Sequence, residues 1–327
     1  MGCSPDLDLA PVAPAGTLER VPVIDLRDAA AQVVDQVRAA CREWGFFQVT
    51  GHGIEPSVLD EICTVSRAFF AQPAADKRRI LRDADNPWGF FDKELTKNRQ
   101  DWKEIYDYGP DAGDGRGPRW PGGSLRPRFE SAVRAYYASC TTLAMRLLAV
   151  IASNLGVNPR VLARGFDGAH TSFLRLNYYP TCPPDNAGDV QQRPLGISEH
   201  TDAGALTLLL QDDQPGLEVL RDGSWHLVEP RSDALVVNLG DIAQVWSNDQ
   251  YKAALHRVLT NPARQRYSMA FFLNPSYETT YEPLPTPVTR DQPAAYRPIN
   301  WREFRSLRAA GDYADLGEEV QIHQYRR

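Results

Sequence analysis

Beyond residue 170 the chain breaks into short apolar runs. SFLRLNYY, ALTLLLQ, LEVLRDGSWHLV, ALVVNLG, LHRVLT and RYSMAFFL are separated by clusters of Gly, Pro, Asn and Asp. Apolar runs of this length bounded by turn residues predict strands, and RDGSW marks a hairpin turn inside the third. Strands so closely spaced predict a β-sandwich or barrel. The first half has a different texture. VPVID (21–25) and GFFQVTGHG (45–53) read as strands, while 28–43, 56–70 and 127–155 read as helices, with shorter ones after Pro73 and near 158–165. On 28–43, Val33, Val34, Val37, Ala40 and Cys41 share one face. Residues 84–124, rich in Pro, Gly, Asp and aromatics, read as loop. The expected fold class is α+β with a mainly β core and flanking N-terminal helices. Four segments follow: a flexible tail (1–20), a helical region (21–168), a β region (169–280) and a C-terminal extension packed on the core (281–327). No linker separates them, so one compact unit is expected.

Composition excludes several partners. The 36 basic and 42 acidic residues leave a net charge of −6, and no long basic run is present. That argues against a nucleic-acid backbone as partner. Five scattered cysteines without a C-x-x-C pair predict free thiols in a reducing compartment. Asp6 and Asp8 interrupt any apolar leader, and the most apolar helical run, 141–157, carries Arg146 and Asn154. The expectation is a cytoplasmic monomer with no membrane partner.

The stretch EHTDAGALTLLLQD (199–212) opens a β-prone run with two ionisable groups, His200 and Asp202. Residues i and i+2 of a strand face the same way, roughly 6–7 Å apart along the backbone. Both could reach one ion, although the pair alone is a weak signal. A second histidine, His256, stands in another strand candidate. Two histidines and one carboxylate form a facial triad that leaves positions open on an octahedral iron, whereas a closed zinc site needs a fourth ligand that is not evident. Ten residues later, RYSMAFF sets Arg266 and Ser268 on one face with Ala270 and Phe272. An inward arginine needs an anionic partner, and a guanidinium fork beside a hydroxyl suits a carboxylate. In RLNYYP, Asn177 and Tyr179 share a face and offer further hydrogen bonds.

These stretches, together with VPVIDL (21–26), REWGFFQVTGHGI (42–54), LRLNYYPTCP (174–183), GDIAQVWSNDQYKAALHRV (240–258) and RYSMAFFLNP (266–275), resemble the isopenicillin N synthase-like family of non-haem iron dioxygenases. Flavonol synthases and gibberellin oxidases are members. The resemblance spans nearly the whole chain, with YPTCP in place of the commoner YPPCP. It implies a double-stranded β-helix (jelly roll) and a catalytic iron(II) held by His200, Asp202 and His256. It further implies 2-oxoglutarate held by Arg266 and Ser268 with help from Asn177 and Tyr179, O2 as the other co-substrate, and ascorbate as an activator. Phe272 matches a substrate-lining position, and the segments bearing Phe90, Tyr106 and Tyr108 border the substrate mouth in relatives. The implied reaction is C–H hydroxylation, desaturation or oxidative cyclisation of a small organic metabolite, of the kind met in specialised metabolism.

Two other readings share the scaffold. An oxidase of the isopenicillin N synthase type needs no 2-oxoglutarate and keeps the Arg-x-Ser pair; Asn177 and Tyr179 favour 2-oxoglutarate. A non-catalytic small-molecule binder would not need an intact triad. The other ionisable groups read as structural: His52 beyond a strand, His226 facing outward in the hairpin, Glu199 on the face opposite His200, and Asp241 in a turn.

Overall fold

The structure is a computed structural model that describes residues 20–83, 85–110, 117–182, 194–286, 292–310 and 320–327. All but the last residue of the expected tail lies outside the described residues. Strands β1 (Val23–Asp25) and β2 (Phe46–Thr50) bracket helix α1 (Ala30–Glu43), which buries Val33, Val37, Ala40 and Cys41. Helix α2 (Pro56–Phe70) starts on Pro56, whose fixed φ and missing N–H suit a first helical position, and α3 (Ala74–Lys77) follows Pro73.

The segment expected to be loop contains four strands: β3 (Gly89–Phe91), β4 (Leu95–Thr96), β5 (Arg99–Gln100) and β6 (Glu104–Tyr108). They are two to five residues long, too short to show alternation among so many turn residues. Helix α4 (Arg126–Asn154) and α5 (Pro159–Ala163) come next; Asn158 caps α5 by accepting the Arg160 N–H at 3.0 Å. By length and apolar content α4 would suffice to cross a membrane, unlike the shorter window considered from sequence. Here one of its faces, from Phe129 to Ile151, is buried in the core, with α1, α2 and the main sheet as neighbours.

The remaining strands are β7 (Phe173–Tyr179), β8 (Leu195–His200), β9 (Leu206–Gln211), β10 (Leu217–Arg221), β11 (Ser224–Leu227), β12 (Leu235–Leu239), β13 (His256–Leu259) and β14 (Arg266–Leu273). Helix α6 (Asp241–Trp246) lies between β12 and β13, and the short pair β15 (Thr280–Tyr281) and β16 (Ile299–Asn300) precedes α7 (Trp301–Ala310). An eight-stranded sheet runs β1-β2-β12-β9-β14-β7-β6-β3, and a four-stranded sheet runs β11-β10-β13-β8. Successive strands from β8 to β14 alternate between the sheets, apart from the β10–β11 hairpin. Asp222 (φ 49°) and Gly223 (φ 79°) turn that hairpin, the left-handed pair a tight two-residue turn requires. This alternation is the double-stranded β-helix expected from the resemblance.

The large sheet has two chemically distinct faces. In its antiparallel ladders Met269 pairs with Leu210 and Leu176, and Phe271 with Leu208 and Leu174; these residues join the α4 side of the core. The alternate positions carry Arg266, Ser268, Ala270, Phe272, Asn177 and Arg175, and face the small sheet.

One buried charge network ties the β3–β6 edge to β7. The Glu94 carboxylate meets Arg82 at 2.8 Å, Lys103 at 2.6 Å and Arg175 at 2.8 Å. Asp107 receives Arg175 at 2.8 Å and also Arg82, and Asp101 receives Lys103 at 3.0 Å. Burial opposes the charge on Glu94, yet the three surrounding cations hold its carboxyl well below the usual range. A carboxyl depressed in this way contributes stability above its unfolded pKa and loses it as pH falls through the folded value. Replacing Glu94 by Gln leaves three buried cations with one fewer counter-charge. The variant is expected to lose about 3–5 kcal/mol of stability at neutral pH, read from its urea midpoint. A loss under about 1 kcal/mol would remove Glu94 as the centre of the network.

Candidate active site

His200 ends β8, His256 begins β13, and the two strands pair with these residues opposite one another. Each imidazole is oriented from behind: Nδ1 of His200 lies 2.7 Å from the Ser198 carbonyl and Nδ1 of His256 lies 3.0 Å from the Ala254 carbonyl. A carbonyl there accepts from a protonated Nδ1, leaving Nε2 as the free donor atom for a metal. Both Nε2 atoms lie 3.8 Å from Oδ1 of Asp202. The three candidate ligand atoms fall within 4.8 Å of one another.

The Asp202 carboxylate is held just as firmly. Its Oδ2 accepts from Thr207 Oγ1 at 2.5 Å and from Asn238 Nδ2 at 2.7 Å, so Oδ1 is left toward the histidines. Behind it, the Asp202 carbonyl accepts the Asp241 N–H at 2.7 Å, and the Gly204 carbonyl accepts the Ile242 N–H at 3.1 Å. Asp241, expected in a turn, thus opens a helix that pins this loop. The approach is so close that a Cβ on Gly240 would collide with the Gly204 carbonyl.

Electrostatics suit a metal. Burial, followed by the neighbouring His256 ring, pushes the His200 imidazole down to about 3, which keeps it neutral at physiological pH. For Asp202, burial works against ionisation, but the two histidines and the hydrogen bonds from Thr207 and Asn238 outweigh it and lower its pKa. Two imidazoles and one carboxylate on one side of a cavity are the donor set of an iron site with open positions.

Farther along the same cavity stands Arg266, 2% exposed. Its Nε donates to the Gln214 carbonyl at 3.2 Å and its Nη2 to Gln211 Oε1 at 3.0 Å, while the buried Nη1 has no acceptor among the described residues. The β7–β14 register sets Tyr179 opposite Arg266 and Asn177 opposite Ser268. Asn177 Nδ2 lies 3.4 Å from Ser268 Oγ, its buried Oδ1 has no partner among the described residues, and the Arg266 guanidinium lies 5.1 Å from the Tyr179 ring centre. An orphaned guanidinium nitrogen in a buried cavity is costly unless an anion meets it. A dicarboxylate reaching from the triad to Arg266 fits this donor set.

All seven residues expected to bind metal or co-substrate therefore line one cavity, together with Phe272. Phe90, Tyr106 and Tyr108 do not, which corrects the expectation that they touch substrate. Tyr106 pairs with Leu176 and Phe90, on the sheet face opposite Asn177, and packs against Phe69 and Phe129 of α2 and α4. Glu199 turns away from the site toward Arg257 at 3.4 Å. His226 is half-buried against Trp44. Sequence reasoning missed Phe173, Arg175, Trp301, Arg305 and Arg308, which also line the cavity. The i, i+4, i+7 spacing of the last three on α7 was the available signal.

Comparison with known proteins bears on both halves of the chain. Residues 170–275 match the family model of the 2OG-Fe(II) oxygenase superfamily, and residues 21–123 match that of the non-haem dioxygenase in morphine synthesis N-terminal region. Jasmonate-induced oxygenase 4 of Arabidopsis thaliana is 33% identical over 88% of this chain and 81% of that protein. Gibberellin 20 oxidase 2 of Oryza sativa subsp. japonica is 35% identical over 91% of this chain and 75% of that protein. The crystal structure of JOX2 in complex with 2OG, Fe and JA superposes with a TM-score of 0.82 at 29% identity, covering 94% of this chain and 90% of that one. With a relative 33% identical over 88% of its length and residues 170–275 matched by the family model, the chain belongs to the 2OG-Fe(II) oxygenase superfamily and is a 2-oxoglutarate- and iron(II)-dependent dioxygenase.

Proposed function

We propose that this enzyme oxidises a C–H bond of a small organic metabolite in specialised metabolism, with His200, Asp202 and His256 holding the iron. In this reading Arg266 and Ser268 receive the distal carboxylate of 2-oxoglutarate, assisted by Asn177 and Tyr179. The carrying observation is that one cavity joins the triad to a buried guanidinium with an unpaired nitrogen. An oxidase that takes all its electrons from substrate keeps the same Arg-x-Ser pair and can offer Arg266 a substrate carboxylate, so 2-oxoglutarate use is supported instead by the match to the 2OG-Fe(II) oxygenase superfamily and the likeness to the JOX2 complex with 2OG. When bound, iron and 2-oxoglutarate supply activation of O2 coupled to oxidative decarboxylation of the keto acid.

The protein's own contribution is positional. Backbone carbonyls fix both imidazoles, and Thr207 with Asn238 fixes the carboxylate, so the ligand face is set before metal arrives. Arg266 sets the co-substrate's direction by charge and its fork geometry. Phe272 and Phe173, stacked at 4.6 Å, border the space left for substrate. Whether hydroxylation, desaturation or ring closure follows depends on which substrate atoms are held nearest the metal. The names of the relatives point to small organic substrates, and we extend that class to this chain. We further propose a cytoplasmic monomer acting on neither nucleic acid nor membrane; sedimentation at one chain mass would support the monomer.

Anaerobic addition of iron(II) and then 2-oxoglutarate to the apoprotein should produce a weak visible charge-transfer band from the chelate. Asp202→Ala should lose both the band and turnover while its thermal unfolding stays cooperative; full activity in that variant would remove the triad. Arg266→Ala is expected to raise the 2-oxoglutarate requirement by about 10–100-fold, from the worth of a hydrogen bond to a charged group, with little change in iron affinity. An unchanged requirement would take Arg266 out of the site. Thr207→Val should weaken iron binding by about 10–100-fold, the usual cost of losing a residue that orients a ligand. Equal iron affinity by anaerobic titration would show that Asn238 alone suffices.

A further inference from the structure

Resting on the oxygenase reading, the charges lining the cavity narrow the substrate class. Among the described residues the lining cations are Lys103, Arg175, Arg266, Arg305 and Arg308. Lys103 is matched by Glu94 and Asp101, and Arg175 by Glu94 and Asp107. Arg266 is the partner of the co-substrate. The two charges of ferrous iron and the two of 2-oxoglutarate cancel each other, so binding them leaves the balance of the cavity unchanged. Arg308 donates to neutral acceptors, the carbonyls of Thr201 at 2.9 Å and Val320 at 3.2 Å and Gln321 Oε1 at 3.0 Å. Arg305 is paired with no carboxylate among the described residues. Its guanidinium lies 5.8 Å from the ring centre of Phe173, which stacks on Phe272.

Helix α7 is built to present this group. Trp301 and Phe304 are fully buried, and the Trp301 indole N–H donates to Thr171 Oγ1 at 2.8 Å. Arg308 ties the other end to the backbone beside His200. Trp301, Arg305 and Arg308 recur at i, i+4 and i+7 on one helical face, and all three line the cavity. The result is a half-buried cation on an anchored helix beside an aromatic pair, toward the Phe272 end of β14 rather than the Arg266 end. A guanidinium fork matches a carboxylate, and stacked phenyl rings match an apolar or planar body.

We propose that the substrate is an organic carboxylate, its carboxylate received by Arg305 and its apolar body lying against Phe173 and Phe272. The test uses a panel of aryl and alicyclic monocarboxylic acids of graded size, each with its own methyl ester. Each is titrated anaerobically into the enzyme loaded with iron(II) and saturating 2-oxoglutarate. Binding is read both as a shift of the chelate band and as a change in tryptophan fluorescence, since Trp301 borders the cavity. At least one acid is expected to bind tenfold or more tightly than its ester. Arg305→Gln should remove that preference by weakening the acid tenfold while moving the ester less than twofold, and Arg305→Lys should restore part of it. Retained ester binding shows that the variant is folded. The inference is overturned if no acid is preferred to its ester, if the preference survives in Arg305→Gln, or if acids act only by displacing 2-oxoglutarate and bleaching the band. Failure of the band to form at all would instead overturn the 2-oxoglutarate reading, and the fluorescence titration would still judge Arg305.

Discussion

The antiparallel ladder of β9, β14 and β7 sets nearly everything else in place. Side chains in a strand alternate between faces, so the register that opposes Ser268 to Asn177 and Gln211 also opposes Met269 to Leu176 and Leu210. One face is thereby apolar without interruption, and α4 buries it. The other face collects Arg266, Ser268, Asn177 and Tyr179 around one cavity. A slip of one residue in β14 would place Arg266 in the helical core and Met269 in the site, an exchange that a buried guanidinium makes prohibitive. The hydrophobic core and the co-substrate pocket are thus two results of one register.

The metal face depends on the smaller sheet meeting this one. Pairing of β13 with β8 puts His256 opposite His200, while the loop after β8 carries Asp202 across to Thr207 of β9 and Asn238 of β12. The ligand set therefore draws its histidines from one sheet and its carboxylate's supports from the other. Such a site cannot form until both sheets have closed, and metal binding should in turn stabilise the closed sandwich, since a ligand that binds only the folded state adds to its stability.

Much of this was legible in the residues. The alternation within RLNYYP and RYSMAFF located the inward faces, and the chemistry of His200, Asp202 and His256 suggested iron before any geometry was known. The misreading of Phe90, Tyr106 and Tyr108 has a specific cause. Glu104–Tyr108 is a strand whose odd and even residues part company: Asp107 reaches Arg175 on the cavity side, whereas Tyr106 and Tyr108 point into the helical core. In a segment dense with Gly, Pro and Asp that alternation could not be told from loop, so the resemblance, which sets the segment beside the substrate mouth, did not show which of its residues face inward. The i, i+4, i+7 spacing on α7 marked a shared face but not its role, for another reason. Its arginines gain meaning only from Phe173, Phe272 and Thr201, which are remote in sequence and brought near by the fold.

The contrast between Arg175 and Arg305 shows how the same side chain serves two ends. Both line the cavity and both lie near Phe173. Arg175 is locked by Asp107 on one side and Glu94 on the other, so a substrate anion would have to displace protein carboxylates to use it, and in a buried network that exchange leaves a carboxylate uncompensated. Arg305 carries no such competitor among the described residues. It is only half-buried and rests near an aromatic face, an arrangement worth less than a buried ion pair. A cation held by weak contacts in the wall of a cavity gains most from an incoming anion. The locked network keeps the wall rigid while the weakly held arginine remains available for recognition.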